Sequence, residues 1–382
     1  MINVSQKIDC CGCSACGSVC PRNAITMQED EQGFAYPNVD ANICIECGLC
    51  EKVCPISYRK KLQTQPNVIS AIAARSKNLE NLKKSSSGGI FGILVQYVIS
   101  QNGVVFGACY DQSMVVRHSF ATARIDCEKF YGSKYVQSDI NGAFIQTKSF
   151  LNQGKIVLFS GTPCQIEGLN LFLRKKYDNL ITVDLGCHAA PSPKLFRDYV
   201  EYVNTKFNKK LSSINMREKE RVGWTAARSC SLIFSDGTKI IDPPKTFKWR
   251  TLFFSRMIDR PSCYYCKFSN ITRPGDFTLA DFWDRKKAHP ELESPNGTSS
   301  IFINTEKAQK VFDCIKSNME YWDISIDDAL QQCFQEPTWT SPKKDAFWAY
   351  YSKKGFVKAY RHFFMPSILA RIINKLTRKA GR

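Results

Sequence analysis

The sequence has no apolar segment long enough to cross a membrane. Its longest apolar stretch, residues 88–99, has about twelve residues, whereas a spanning helix needs about twenty. Residues 1–10 also lack the apolar core of a secretory signal, and cysteines begin at Cys10. We therefore expect a cytoplasmic protein. In that reducing compartment, closely spaced cysteines more often bind metal or carry redox chemistry than form disulfides.

A low apolar content, which is typical of disordered chains, is also absent: 43% of the 382 residues are hydrophobic. The chain is long enough for more than one domain and too long for a small disulfide scaffold. Its eighteen cysteines therefore need another explanation. Apart from two cysteine motifs, the sequence shows no internal repeat and no low-complexity segment.

Acidic residues are missing from residues 351–382, which hold nine Lys and Arg, half of the formal net charge of +18. Residues 1–60 are slightly acidic, with five basic and seven acidic side chains. A basic excess can indicate binding to nucleic acid or to an anionic membrane. Because the charge is uneven and no nucleic-acid module is recognised, we expect a chain assembled from parts, with no nucleic-acid partner.

Two copies of the motif C-x2-C-x2-C-x3-C-P lie within the first sixty residues. In this motif three thiolates bind three irons of one 4Fe-4S cluster, and the fourth thiolate binds the other cluster. The motif predicts one cluster on the first cysteine set: Cys10, Cys13, Cys16 and Cys54. It predicts another cluster on the second cysteine set: Cys20, Cys44, Cys47 and Cys50.

Zinc is the competing interpretation, because zinc sites also use four cysteines in C-x2-C pairs. Three cysteines in succession, then a fourth followed by proline, do not form two such pairs, so the spacing favours iron–sulfur. Cys11 falls outside the spacing and is predicted to be a bystander thiol. The segment resembles the bacterial two-cluster ferredoxin, a carrier of single electrons.

Beyond residue 67, short apolar stretches alternate with helical ones. Four stretches predict buried strands: residues 68–74, 103–109, 155–160 and 180–185. Two others predict helices: residues 90–100 and 165–176. Strands that alternate with helices indicate an α/β core.

Two Gly-rich loops in this core could bind an anion such as a cofactor phosphate. The first contains Ser87, Gly88 and Gly89 at the start of a predicted helix, where backbone amides favour negative charge. The second is the stretch 132–135, with Gly132, Ser133, Lys134 and Tyr135. Alone, the first loop fits an ordinary helix start better than a binding site, and the second is equally consistent with a connecting loop.

A third group is scattered along the chain. Cys164 and Cys187 each follow a predicted strand, where α/β proteins place their ligands, and Cys263 and Cys266 form a C-x2-C pair. This core cysteine set could hold a third 4Fe-4S cluster or a zinc ion. Read separately, its members could equally be buried small residues and a zinc half-site. The remaining cysteines are predicted to be packing residues: Cys109, Cys127, Cys230, Cys314 and Cys333. Three histidines are predicted to be surface or core residues: His118, His289 and His362.

Taken together and in this order, these motifs resemble the family of coenzyme F-420 hydrogenase/dehydrogenase beta subunits, in its long form. The resemblance also includes the stretches 161–165, 187–188, 275–281 and 341–345. It implies α+β and α/β architecture in three parts: a two-cluster ferredoxin domain (1–60), an α/β oxidoreductase domain (68–340) and a basic C-terminal tail (341–382).

The resemblance further implies FAD in the α/β core, a core 4Fe-4S cluster beside it and a second substrate, F-420 in archaeal members. The residues implied near the flavin are Ser87, Gly88, Gly89, Gly132, Ser133, Lys134, Tyr135, Thr162 and Gln165. Lys134 is predicted to stabilise the anionic reduced flavin or its phosphates, and no catalytic residue is assigned.

The function implied is that of an iron–sulfur flavoprotein oxidoreductase, which takes electrons from ferredoxin-type clusters and delivers them to an organic acceptor. Bacterial members of this length are associated with surface-polysaccharide gene clusters, where the acceptor need not be F-420. The alternative is a non-catalytic electron-transfer subunit that docks through its acidic front end and feeds a partner enzyme.

Residues 366–382 predict an amphipathic helix. Ile368, Ile372 and Leu376 lie on one face, whereas Arg371 and Lys375 lie on the other. The apolar face could lie on an anionic membrane surface or, equally, pack on the protein body. Peripheral contact with the inner face of the membrane is thus an open alternative to a purely cytoplasmic location.

Overall fold

The computed structural model describes residues 1–62, 65–221, 223–224, 229–244, 246–283 and 288–365. Within these ranges no helix combines the length and the apolar character that crossing a membrane would require. The predicted amphipathic helix, residues 366–382, lies outside the described residues.

Residues 1–62 form an N-terminal module around an antiparallel hairpin of β1 (Ile25–Glu29) and β2 (Ala35–Val39). The carboxylate of Asp30 closes the hairpin turn by accepting hydrogen bonds from the amides of Gln32 and Phe34. Three short helices complete the module: α1 (Ala15–Val19), α2 (Leu49–Lys52) and α3 (Pro55–Lys61).

The rest of the described chain contains two sheets. Their strands are β3 (Ser70–Ser76), β4 (Val104–Tyr110), β5 (Val116–Ala121), β6 (Val157–Gly161), β7 (Leu180–Leu185), β8 (Leu211–Asn215), β9 (Ser231–Phe234), β10 (Lys239–Ile241), β11 (Phe277–Asp281), β12 (Ser299–Ile303) and β13 (Met319–Ile324). The larger sheet has the order β13-β3-β12-β11-β7-β6-β4-β5, and the smaller sheet has the order β10-β9-β8. Strands β4, β6, β7 and β11 are parallel, so their carboxyl ends meet at one edge.

Nine helices in the described part of this region cover both faces of the larger sheet or pack with the smaller sheet. They are α4 (Leu79–Lys84), α5 (Ile90–Ile99), α6 (Ala143–Asn152), α7 (Pro163–Leu173), α8 (Pro193–Phe207), α9 (Trp249–Ser255), α10 (Glu306–Ile315), α11 (Ile326–Ala329) and α12 (Lys344–Phe364). Helices α5 and α10 contribute to one core, and α6 and α7 contribute to another. The second of these cores includes Ala15, Val53 and Ile56 of the N-terminal module. The module therefore shares a hydrophobic core with the sheet.

A further core joins α8, α9 and α12 to the smaller sheet. Helix α12 bends at Gly355, whose φ of 73° lies outside the helical region. Its residues Phe347 and Ala359 are fully buried. The first part of the predicted basic tail is thus packed against the body of the protein. The predicted domain boundaries at residues 60 and 340 stay predictions.

The α/β prediction is confirmed, and all four predicted strands lie in the larger sheet. Their observed bounds differ by at most two residues at either end. Both predicted helices are also present, as α5 and α7. Strands β5, β11, β12 and β13 and the whole of the smaller sheet were not predicted.

Candidate functional site

The first cysteine set lies where the N-terminal module meets the α/β core. Cys13 is buried in the loop that leads into α1, Cys16 is buried in α1 itself, and Cys54 is the N-cap residue of α3. Burial, followed by the nearby charge of Cys10, raises the pKa of Cys16 to about 12, and Cys54 adds to the effect. The structure therefore brings the thiols of this set together.

The second cysteine set lines a pocket of about 380 Å³, open mouth included. Two backbone amides point at its sulfurs: Ala24 N donates to Cys20 Sγ at 3.3 Å, and Ile2 N donates to Cys50 Sγ at 3.2 Å. Hydrogen bonds of this kind are one means by which a protein tunes a cluster's reduction potential. Cys47 is exposed, so this set lies at the protein surface.

The core cysteine set converges at the carboxyl edge of the parallel strands. Cys164 is in the first turn of α7, directly after β6, and Cys187 follows β7. Cys263 lies in the short 3-10 helix Pro261–Tyr265, and Cys266 follows it. Burial, and then the charges of Cys263, Cys164 and Cys266, raise the pKa of Cys187 well above its ordinary value. All four thiols are thus neighbours.

Two cysteines predicted to be bystander or packing residues also lie at the core cysteine set. The thiol of Cys11 interacts with both Cys13 and Cys164, and so lies between the first set and the core set. Cys333 acts electrostatically on Cys187. Neither residue has a partner at a diagnostic spacing, so no sequence signal could have found it.

Buried ion pairs hold the elements that carry these thiols. Arg273 binds Asp184, near the end of β7, with Nη2 to Oδ1 at 2.5 Å, and its Nη1 donates to the carbonyls of Phe268 and Asn270. This arginine thereby ties the loop after Cys266 to the strand before Cys187.

A second pair fixes the N-terminal module. Arg59 of α3 binds Glu167 of α7 with Nη2 to Oε2 at 2.9 Å, and its Nη1 donates to the carbonyl of Thr272. The helix that begins at Cys54 is therefore fastened to the helix that carries Cys164.

The donor set of the core suits a 4Fe-4S cluster, in which each cysteine binds a different iron. Buried thiolates repel one another, and iron supplies the positive charge that offsets this repulsion. The backbone amides of Ala190 and Phe268 donate to the sulfurs of Cys263 and Cys266 at 3.4 Å each. Within the described ranges no three Cys, His, Asp or Glu side chains form a group that could hold one metal ion.

The two Gly-rich loops meet each other. The hydroxyl of Ser86 accepts a hydrogen bond from the amide of Ser133 at 2.7 Å and lies 3.0 Å from its hydroxyl. The Ser87 hydroxyl and the Gly88 amide are already used, because they donate to the Thr298 carbonyl and the Ser299 hydroxyl. Gly89 is the left-handed N-cap residue of α5, with φ of 82°.

Three predicted flavin contacts have internal partners. Lys134 Nζ donates to the carbonyls of Lys129 and Tyr131, and burial lowers its pKa to about 7. Thr162 and Gln165 form a capping box at the start of α7, and the Gln165 amide also donates to Ser138. Lys134 therefore stabilises its own loop, and Thr162 and Gln165 stabilise the helix start that carries Cys164.

A largely buried arginine beside the second loop was not predicted. Arg217 binds Asp281 at 2.9 Å, donates to the Tyr135 hydroxyl and lies over the stacked rings of Trp224 and Trp283. Among the described residues, its buried Nη2 has no hydrogen-bond partner. An acceptor atom of a bound cofactor would satisfy this donor.

Comparison with known protein families identifies two regions of the chain. The model for the C terminus of the coenzyme F420 hydrogenase/dehydrogenase beta subunit matches residues 154–328, and a 4Fe-4S dicluster domain matches residues 9–57. The chain is thus similar to the F420 hydrogenase/dehydrogenase beta subunits over residues 154–328, which are less than half of its length. The resemblance drawn from the motifs is thereby confirmed. A chain that combines this region with a 4Fe-4S dicluster domain is an iron–sulfur electron-transfer protein.

Individual proteins are also similar to parts or most of this chain. One of the subunits of the F(420)H(2) dehydrogenase of Methanosarcina mazei is 21% identical over 331 residues, which are 83% of this chain and 85% of the relative. A 7Fe ferredoxin of Hydrogenibacillus schlegelii is 41% identical over 44 residues, which are 12% of this chain and 50% of the ferredoxin. A chain in the F420-reducing NiFe hydrogenase complex of Methanosarcina barkeri matches with a TM-score of 0.45 and 19% identity, covering 78% of this chain and 91% of that one.

Proposed function

We propose that this chain is an iron–sulfur flavoprotein oxidoreductase. In this proposal the two ferredoxin-type clusters exchange electrons with a third cluster on the core cysteine set, and FAD beside it reduces an organic acceptor. The observation that carries the proposal is the contact between cysteine sets. Cys11 interacts with Cys13 of the first set and with Cys164 of the core set, so thiols continue from the N-terminal module into the α/β core.

A flavin, when bound, would exchange single electrons with clusters and electron pairs with a substrate. The residues that fit it lie at the meeting of the two Gly-rich loops. Ser86 and Ser133 hold the loops together, and the unsatisfied Nη2 of Arg217 faces the same region as Tyr135. This geometry makes Arg217, rather than Lys134, the best candidate for a contact with an anionic or carbonyl group of FAD.

The acceptor in this proposal is F-420 or another small molecule. F-420 is supported by the Methanosarcina mazei relative, which is part of an F(420)H(2) dehydrogenase. A role in surface-polysaccharide synthesis stays a prediction. So does peripheral membrane contact through residues 366–382, which liposome flotation of the full chain with and without that segment would test.

Iron content tests the third cluster. We expect about twelve irons per chain after anaerobic reconstitution, because three cubanes hold four irons each. The double variant Cys187→Ser/Cys263→Ser should hold about eight irons. Cys314→Ser is the control, because this exposed thiol lies far along the chain from every cysteine set and should leave the count unchanged. A count of about eight in the wild type would remove the core cluster from the proposal.

Flavin content tests the enzyme. Denaturation of anaerobically purified protein should release FAD in a ratio near one per chain. Arg217→Met should lose FAD while keeping the wild-type iron content. Arg221→Met, a change at a nearby exposed arginine, should retain both. Wild-type protein that holds all its iron but no FAD would refute the oxidoreductase proposal.

Such a result would instead establish the alternative, a non-catalytic electron-transfer subunit. One observation favours it: the second cysteine set opens at the surface beside the exposed side chains of Ile43 and Ile45. An exposed cluster with an apolar rim is suited to a redox partner protein. Measured electron transfer to a partner, without flavin in this chain, would support this reading.

A further inference from the structure

Arg260 is a buried arginine at the junction between the N-terminal module and the core cysteine set. Its side chain is 1% exposed. Its backbone amide donates to the Ala190 carbonyl, and its own carbonyl accepts from the amide of Cys263. The side chain reaches away from this loop into the N-terminal module.

Three of the hydrogen-bond partners of its guanidinium are neutral groups, and the fourth is Cys10 Sγ. Nε donates to the Cys10 carbonyl at 2.7 Å, Nη1 donates to Gln137 Oε1 at 3.1 Å, and Nη2 donates to the Ala35 carbonyl at 2.9 Å. The rings of Tyr36 and Phe34 lie 4.4 and 5.5 Å from the guanidinium carbon. Across the part of the chain that the structure describes, no carboxylate is within ion-pair distance of Arg260.

The other buried arginines of this region differ in that respect. Arg59 has Glu167 and Arg273 has Asp184 as a carboxylate partner. Because a buried charge without an opposite charge is costly, Arg260 needs another source of negative charge. The groups that supply it are thiols: Nη2 lies 3.5 Å from Cys10 Sγ, and Cys11 and Cys263 also act electrostatically on the guanidinium.

The guanidinium is held rigidly in this position. Gly12 has a φ of 69°, and a Cβ added there would lie 2.6 Å from Arg260 Nη1, so the loop of the first cysteine set is shaped around the arginine. Gln137 joins the two, because its Nε2 donates to the Cys11 carbonyl while its Oε1 accepts from Arg260. A charge fixed in this way acts without reorganisation.

We propose that Arg260 is a positioning residue that serves as the counter-charge of the first ferredoxin cluster on the side facing the core cluster. A cluster becomes more negative when it is reduced, so a fixed positive charge beside Cys10 stabilises the reduced form and raises the reduction potential. The effect is strong in a dry interior, where charges are weakly screened. The inference rests on the proposed assignment of Cys10, Cys13, Cys16 and Cys54 to one cluster.

Redox titration followed by electron paramagnetic resonance tests this role in the full reconstituted chain. In Arg260→Gln we expect the midpoint potential of the first cluster to fall enough that its reduced-to-oxidised ratio at a fixed potential drops at least tenfold, or about 59 mV for one electron. Arg260→Lys keeps the charge and should restore most of the potential. The second cluster, identified by the change that Cys47→Ser makes in its signal, should keep its potential.

Arg197→Met is the matched control, because Arg197 also joins the two regions, through Glu29, but at the surface. It should leave both potentials unchanged. Equal first-cluster potentials in wild type, Arg260→Gln and Arg260→Lys would overturn the proposal.

If Arg260→Gln does not assemble its clusters, the first-cluster potential of Arg260→Lys is compared with that of the wild type instead. Assembled clusters with the wild-type potential support a role of the charge, whereas loss of the first cluster in the lysine variant too shows a purely structural clamp. The ferredoxin signals can be read without flavin or a core cluster, so failure of the proposed function is distinguished from failure of this inference.

Discussion

The two cysteine motifs have the same spacing but different surroundings. The loop of the first motif is enclosed by the α/β core: a Cβ on Gly168 of α7 would lie 3.0 Å from Cys13 Sγ, and Arg260 covers Cys10. The loop of the second motif faces solvent, with Cys47 exposed. Spacing therefore predicts the kind of cluster, whereas tertiary contacts decide which cysteine set faces the core and which faces solvent.

Breaking the buried ion pair between Arg59 and Glu167 should have the largest effect on the free energy of unfolding. Arg59→Met leaves Glu167 as a buried charge without its partner, and we expect a loss of unfolding free energy of about 4 kcal/mol. Arg197→Met breaks the exposed pair with Glu29 and should cost about 0.5 kcal/mol. Anaerobic denaturant titrations of the two variants and the wild type measure the difference. Similar losses of unfolding free energy in the two variants would contradict the difference between the buried and the exposed side of the N-terminal module.

Two glycines provide the next test. Gly12 and Gly48 have nearly equal φ angles, 69° and 70°, so alanine is strained at both, by about 1 kcal/mol. Only at Gly12 would the new methyl group also meet the Arg260 and Gln137 side chains, whereas nothing lies within 4 Å at Gly48. We expect Gly12→Ala to cost about 3 kcal/mol in total and to reduce iron content at the first cluster. Equal stability of the two alanine variants would contradict the close approach of Arg260 and Gln137 to Gly12.

The smallest expected effect concerns His118, which is buried in β5. Burial lowers the pKa of His118 to about 4, and its ring bonds the Ser160 carbonyl and Ser138 hydroxyl while stacking on Phe159. The unfolded chain therefore takes up a proton at His118 below about pH 6.5, whereas the folded protein does so only near pH 4. Stability from this group is complete above pH 6.5 and falls on acidification.

Between pH 6.5 and 5 the wild type should lose about 2 kcal/mol through His118. His118→Gln should lack that part of the pH dependence, so the difference between the two proteins should narrow as the pH falls. A constant difference from pH 7 to pH 5, measured by denaturant titration, would show that His118 does not titrate differently in the folded state.

How much of the site could be predicted depends on the separation, along the sequence, between the residues that interact. The two cysteine motifs are local, so their chemistry was readable from spacing alone. The core cysteine set spans residues 164–266, and its convergence depends on β6 and β7 being adjacent parallel strands. The alternation of strands and helices predicted where β6 and β7 end, but not that these two strands are adjacent in the sheet.

The missed residues have no local signature. Arg260 meets Cys10 across 250 positions, and Arg59 meets Glu167 across 108. An arginine that will be buried among thiols looks in sequence like any surface arginine. Conversely, Lys134 has a suggestive Gly-rich setting, but its ammonium is used by the carbonyls of its own loop.

The shared core between the N-terminal module and the sheet has a kinetic consequence. A free ferredoxin meets its acceptor by diffusion, at a rate that depends on concentration and on ionic strength. Here the contact that includes Ile56 and Ala15 is part of the folded protein, so the first transfer needs no encounter. Salt and dilution should then affect only electron exchange between the exposed second cysteine set and an external partner, whereas transfer between the proposed clusters should proceed as within a single molecule.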